Sequence, residues 1–162
     1  MTPSPSAIAA RRRAFRDLHA SGCFVIPNPW DAGSARYLAS LGFKALASTS
    51  SGFAWSQGRP DNGVPRDRVL EHLAALAAAT EVPLNADFEN GFAADAAGVA
   101  ESVRMAVETG IAGISIEDSI GPERIGPGRA SPGRASPPVP AARPGSAEAR
   151  SEERRVGKEC VP

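Results

Sequence analysis

The chain has little of what would tie it to a membrane, a nucleic acid or an oxidising compartment. Only two cysteines, Cys23 and Cys160, occur in 162 residues, and they lie far apart. They form neither a disulfide framework nor a CxxC or Cys/His metal cluster, so a reducing cytoplasm is the expected setting. No apolar run is long enough to span a bilayer. The opening Met1-Thr2-Pro3-Ser4-Pro5-Ser6 lacks the charged-then-apolar layout of a secretory signal. Net charge is also lacking. The 18 basic and 18 acidic residues cancel, which removes the electrostatic reason to expect nucleic acid or an anionic membrane as partner. There is no GxGxxG after the first strand-like segment and no GxxxxGK[ST], so a nucleotide-binding loop is unsupported.

One shortage is local. From Pro122 to Pro162 the only aliphatic residues beyond Ala are Ile125, Val139, Val156 and Val161, and there is no aromatic residue beside eight prolines. Such a segment cannot bury enough apolar surface to offset its ordering entropy, so a disordered tail is expected over 122–162. Within it Gly128-Arg129-Ala130-Ser131-Pro132 is repeated at once as Gly133-Arg134-Ala135-Ser136-Pro137. The break falls inside a folding unit, and the closing Ser151–Cys160 resembles translated vector sequence. A shifted reading frame fits this pattern better than a natural linker. The core-forming domain is expected over 1–121.

What that domain contains is alternation. Residues 6–20 read as a helix with Ser6 as N-cap. Phe24–Pro27 reads as a short buried strand, and Asp31 as the cap of a helix ending at Gly42. Residues 45–49, 83–87 and 113–117 read as further strands. A long Gly/Ser/Pro-rich loop spans 50–65, and helices cover 66–80 and 93–109, each with apolar residues at helical spacing. Strict strand–helix alternation implies an α/β fold with a parallel sheet and helices packed outside it.

The chemistry concentrates at the strand ends. Side chains alternate along a strand, so Asn85, Asp87 and Glu89 share one side, as do Ser115 and Glu117. Asp87, Glu89 and Glu117 are thereby expected to converge at the carboxyl edge of the sheet, where α/β enzymes place their sites. Oxygen ligands of this kind suit a hard divalent cation.

Four segments carry a resemblance. They are Phe24–Ala35, Ser50–Asp61 (Ser-Ser-Gly-Phe-Ala-Trp-Ser-Gln-Gly-Arg-Pro-Asp), Asn85–Phe92 (Asn-Ala-Asp-Phe-Glu-Asn-Gly-Phe) and Ser115–Asp118 (Ser-Ile-Glu-Asp). In this order they resemble the isocitrate lyase/phosphoenolpyruvate mutase superfamily, in particular its short bacterial mutase-like members. The resemblance implies a (β/α)₈ TIM barrel, usually homotetrameric, that binds Mg²⁺ (or Mn²⁺). It implies action on α-keto or α-hydroxy carboxylates, making or breaking a C–C or P–C bond through a pyruvate enolate. It places Asp87, Glu89 and Glu117 as metal acids, with Asp87 also facing substrate. Ser51 and Gly52 match the segment that binds the substrate carboxylate or phosphonate, and Asp61 the catalytic acid of a gating loop. A full barrel needs about 250 residues, so this chain is expected to supply about the first four β/α units and to be inactive as it stands. One departure bears on mechanism. The lyases carry a Cys- and His-containing segment soon after the fourth-strand acid, whereas here Glu117 is followed by Asp118-Ser119-Ile120-Gly121-Pro122-Glu123-Arg124.

Each residue also has a structural reading. Pro60-Asp61-Asn62-Gly63 is ordinary turn chemistry, and Ser51 reads equally as a loop serine. Either acid of Asp87 and Glu117, taken alone, serves as a cap or surface ion pair. Asp118 points opposite to Glu117. His19 and His72 read as helix-packing or surface residues, Trp30 and Trp55 as residues that pack or shape the mouth of the site, Cys23 as inert, and Arg11–Arg13 as a solvated helix face. The competing functions are an oxaloacetate decarboxylase or phosphonopyruvate hydrolase of the same superfamily, and a non-catalytic fragment or interaction module whose Pro-rich tail docks in a groove.

Overall fold

The computed structural model describes residues 3–117, all of which precede the proline-rich segment. The expectations for 122–162 and for Asp118 lie outside them. The chain opens with helix α1, Pro5–Leu18. Its N-cap is Ser4 and not Ser6, because Pro5 takes the first helical position, where its fixed φ and missing N–H are no handicap. Helix α2, Ala32–Ser40, starts on a capping box. The Asp31 carboxylate accepts from Ser34 N (2.6 Å), and Ser34 Oγ accepts in return from Asp31 N (3.1 Å).

Strand β1, Leu46–Ala47, is followed at once by helix α3, Ser50–Ser56, and then by helix α4, Arg66–Ala79. Strand β2 is Leu84–Asp87, helix α5 is Ala96–Glu108, and strand β3 is Gly113–Ser115. The three strands form one parallel sheet in the order β1-β2-β3, with Leu46 opposite Leu84 and Asn85 opposite Gly113. Both crossovers step the same way along the sheet. Right-handed connections then place α4 and α5 on one face, and the two helices pack on each other. This sequential order with both helices on one face is shared by the opening units of a barrel and by one half of a doubly wound sheet.

Two expectations are corrected. Phe24–Pro27 forms no strand. It runs beside β1 with a single ladder-type bond, Ala47 N to Pro27 O (3.0 Å), and Val25 is exposed. Pro27 and Pro29 have no N–H to donate, so the segment cannot continue a ladder. The described sheet therefore has three strands where four were expected. Secondly, the long 50–65 loop begins with a helix. Thr49 caps α3 by accepting from Gly52 N (3.1 Å), and Phe53 and Ala54 are buried beneath it.

The core lies between the sheet and its helices. Leu46, Leu84, Ala86 and Phe88 meet Leu73, Leu76, Ala77, Ala106 and Ile111. Asn85 and Asp87 face the other way, as the strand period requires. Helix α1 is tied across the amino ends of the strands. Arg11 Nη1 donates to Ala77 O (2.8 Å), and Arg12 donates to Ile111 O (3.0 Å) and Val107 O (2.8 Å). Two of the three arginines read as a solvated face thus satisfy carbonyls at the carboxyl ends of α4 and α5, where a cation is favoured.

Candidate active site

The site is built where β1, β2 and β3 end. At the end of β1 the chain turns into α3, and this junction grips Asp87. Ser50 N (2.8 Å) and Ser50 Oγ (2.9 Å) both donate to Asp87 Oδ2. The buried Ser48 hydroxyl accepts from Asp87 N (2.9 Å), taking the place of a ladder carbonyl. Neither Ser48 nor Ser50 was singled out from the sequence. The available signal was two hydroxyl residues placed immediately after a strand at the carboxyl edge.

Ser51 and Gly52, expected in a loop, sit in the first turn of α3. The Gly52 amide is committed to the Thr49 cap, and the Ser51 hydroxyl lies 3.4 Å from the same Thr49 hydroxyl. A Cβ at Gly52 would stand 2.6 Å from Thr49 Cγ2, which explains why glycine is needed there.

Glu89 lies one turn of chain beyond β2. Sequence alternation placed it beside Asp87, but its backbone is left-handed (φ 49°), a conformation non-glycine residues seldom adopt. It is only 5% exposed, and its Oε1 has no hydrogen-bond partner among the described residues. Its backbone carbonyl accepts from Glu117 N (2.7 Å), which links the ends of β2 and β3. Burial, followed by the charges of Asp61, Asp87 and Glu117, pushes its carboxyl up to about 7. All three charges acting on it are negative. Asp61, Asp87 and Glu117 therefore all lie close enough to act on Glu89.

They are not all equivalent. Asp61 is exposed in the Pro60–Gly63 turn, where its Oδ1 accepts from Asn62 N (3.0 Å). Glu117 is exposed two residues beyond the end of β3, which stops at Ser115 and not at 117 as the sequence suggested. Among the described residues no three His, Cys, Asp or Glu side chains are gathered on one point as ligands of an ion. In kind, however, the donors fit a hard divalent cation. They are carboxylate oxygens only, and one of them, Glu89 Oε1, is buried with no hydrogen-bond partner among the described residues.

His72, read as a helix-packing or surface residue, is a packing residue with a polar cost. Its ring stacks on Phe53 of α3 (centroids 3.7 Å apart, planes at 6°), and Nε2 is buried with no hydrogen-bond partner among the described residues. Burial pushes its pKa down to about 4, only partly offset by the Asp31 carboxylate. His19 joins an edge-to-face cluster with Phe15 and Phe24, and Trp30 and Trp55 are both exposed.

The architecture has counterparts in known proteins. The model of the phosphoenolpyruvate phosphomutase family matches residues 15–155. A solved structure from Burkholderia cenocepacia J2315, described as a candidate lyase/mutase, is 53% identical, with a TM-score of 0.70 over 72% of this chain and 42% of its own. The phosphoenolpyruvate phosphomutase of Streptomyces platensis subsp. rosaceus is 30% identical, with a TM-score of 0.62 over 66% of this chain and 38% of its own. The 2,3-dimethylmalate lyase of Eubacterium barkeri is 34% identical over 102 residues, which is 62% of this chain and 35% of the lyase. The chain spans two-fifths or less of the length of the curated relatives it matches. With the family model covering most of its length, and with lyases and mutases on both sides of the comparison, the chain belongs to the phosphoenolpyruvate mutase/isocitrate lyase superfamily.

Proposed function

We propose that this chain carries the metal-binding part of a Mg²⁺-dependent lyase or mutase that acts on α-keto or α-hydroxy carboxylates through a pyruvate enolate. On this reading the described units are the opening units of a (β/α)₈ barrel. The observation that carries it is the environment of Glu89, a buried carboxyl surrounded by Asp61, Asp87 and Glu117. A buried carboxyl without a hydrogen-bond partner among the described residues, acted on by three further acids at the carboxyl edge of a parallel sheet, calls for an external positive charge.

Asp87 and Glu117 would hold the cation directly, one at the end of β2 and one just beyond β3, and Glu89 would complete the charge balance. When bound, the cation supplies Lewis-acid stabilisation of the negative charge that develops on the substrate's enolate oxygen. The Ser51 amide and hydroxyl, at the start of α3, orient the substrate's carboxylate or phosphonate. Asp61 rides on a turn between Pro60 and Gly63, suited to a loop that closes over the site and excludes water. Glu117 is followed in sequence by no Cys or His before the proline-rich segment. This favours chemistry without a cysteine acid–base, and so keeps decarboxylation of oxaloacetate and hydrolysis of phosphonopyruvate as the second reading.

The test is calorimetric titration of the chain with Mg²⁺ and Mn²⁺, beside a pyruvate-release assay on keto- and hydroxy-acids. Asp87→Ala is expected to abolish binding and any turnover, since removing one electrostatic partner of a transition state costs about 10²–10³-fold in rate. Binding by Asp87→Ala as tight as by the parent would remove the basis of the assignment.

A further inference from the structure

We propose that Ser50 is a positioning residue for Asp87, holding one carboxylate oxygen so that the other is presented to the cation. The inference rests on the reading of Asp87 as a metal acid and adds to it a residue that the family resemblance does not place.

Three bonds fix Asp87 from the β1–α3 junction. Ser50 donates twice to a single oxygen, Oδ2, from its amide (2.8 Å) and its hydroxyl (2.9 Å). Ser48 accepts from the Asp87 amide (2.9 Å) and holds the main chain at the same point. Two donors on one oxygen and none on the other remove the rotational freedom that a half-buried aspartate would otherwise keep. They leave Oδ1, which has no hydrogen-bond partner among the described residues, as the oxygen available to a positive charge. Partners of this kind orient the ligating carboxylate before metal arrives, so the ordering entropy is already spent in the folded state.

Ser50 also couples two parts of the site. Its neighbours Ser51 and Gly52 belong to the same turn of α3, and that turn is anchored from below by the stacking of Phe53 on His72. A substrate group seated on this turn is therefore registered against Asp87 through one residue.

The experiment is Mn²⁺ titration of the full chain by calorimetry for the parent, Asp87→Ala, Ser50→Ala, Ser50→Thr and Ser50→Cys, each checked by circular dichroism. Ser50→Ala keeps the amide donor and loses the hydroxyl, so affinity should fall about tenfold, at the low end for loss of an outer partner of a metal ligand. Ser50→Thr restores a hydroxyl and should return affinity to within about twofold of the parent. If the parent takes up no Mn²⁺, or Asp87→Ala binds as the parent does, the metal reading fails and this inference with it. If Asp87→Ala loses binding while Ser50→Ala retains parental affinity, the metal reading stands and the positioning role is overturned. A loss in Ser50→Ala that Ser50→Thr does not recover overturns it equally. Where Ser50→Ala does not fold, Ser50→Cys decides: its weaker donor should give reduced affinity, and parental affinity would refute the proposal.

Discussion

At the scale of single residues, this chain places charge and polarity where ordinary folding energetics oppose them. His72 is the clearest case outside the acid cluster. Its folded pKa of about 4 lies below the ordinary value of 6.5, so the folded state binds fewer protons than the unfolded chain between those limits. Stability is therefore complete above about pH 6.5 and falls as pH drops towards 4, by at most about 3 kcal/mol. Urea midpoints measured from pH 7.5 to 4 should show this decline, and His72→Phe should flatten that part of the profile. An identical slope in both proteins would mean that other groups dominate. The residues that act here were only partly legible. Asp87 and Glu117 could be read from strand alternation, since each ends a recognisable apolar segment. Ser50 and the burial of His72 could not, because both depend on neighbours 37 residues away (Asp87) or 19 away (Phe53).

At the scale of elements, close approach between α1 and β3 sets a steric limit. A Cβ at Gly113 would lie 2.4 Å from the Phe15 ring and 2.7 Å from Asn85 Oδ1. Gly113→Ala should therefore displace α1 and cost about 1–3 kcal/mol, the usual range for overpacking, read as a lowered thermal midpoint. Arg12→Ala should loosen the same helix by a different route. It removes two bonds to carbonyls near the end of α5 and should cost about 1–2 kcal/mol, with faster amide exchange confined to α1. Exchange that accelerates equally throughout the sheet would contradict a local tether. At this scale α2, α4 and α5 were legible from apolar spacing and from Asp31, Gly42 and Gly110. Helix α3 was not, because Ser-Ser-Gly-Phe-Ala-Trp-Ser has weak intrinsic propensity and is held by Thr49 and by burial of Phe53.

At the scale of the whole molecule, the edges of the sheet set how the chain associates. Among the described residues β3 pairs only with β2, and Ile116 just beyond it is 43% exposed. An unpaired parallel edge with an apolar residue beside it is a template for association. The 162-residue chain should therefore self-associate at micromolar concentration, seen as a concentration-dependent mass in sedimentation velocity. A monodisperse monomer with one cooperative thermal transition would show that the edge is protected. Among the described residues no helix is long and apolar enough to cross a membrane.

By itself the sequence determined the α/β alternation, the parallel sheet and the placing of Asp87 and Glu117 at its carboxyl edge. These follow from apolar periodicity, caps and strand alternation, all of which act over a few residues. Only the tertiary structure decided that Phe24–Pro27 stays outside the ladder, that Arg11 and Arg12 tie down helix ends, and that Asp87 is gripped by Ser48 and Ser50. It also decided that Glu89 is buried in a left-handed turn among three other acids. The physical reason is range. Burial, like-charge repulsion and donor placement at this site depend largely on segments separated by 28 to 39 residues in the chain, and no local pattern encodes which of them will meet.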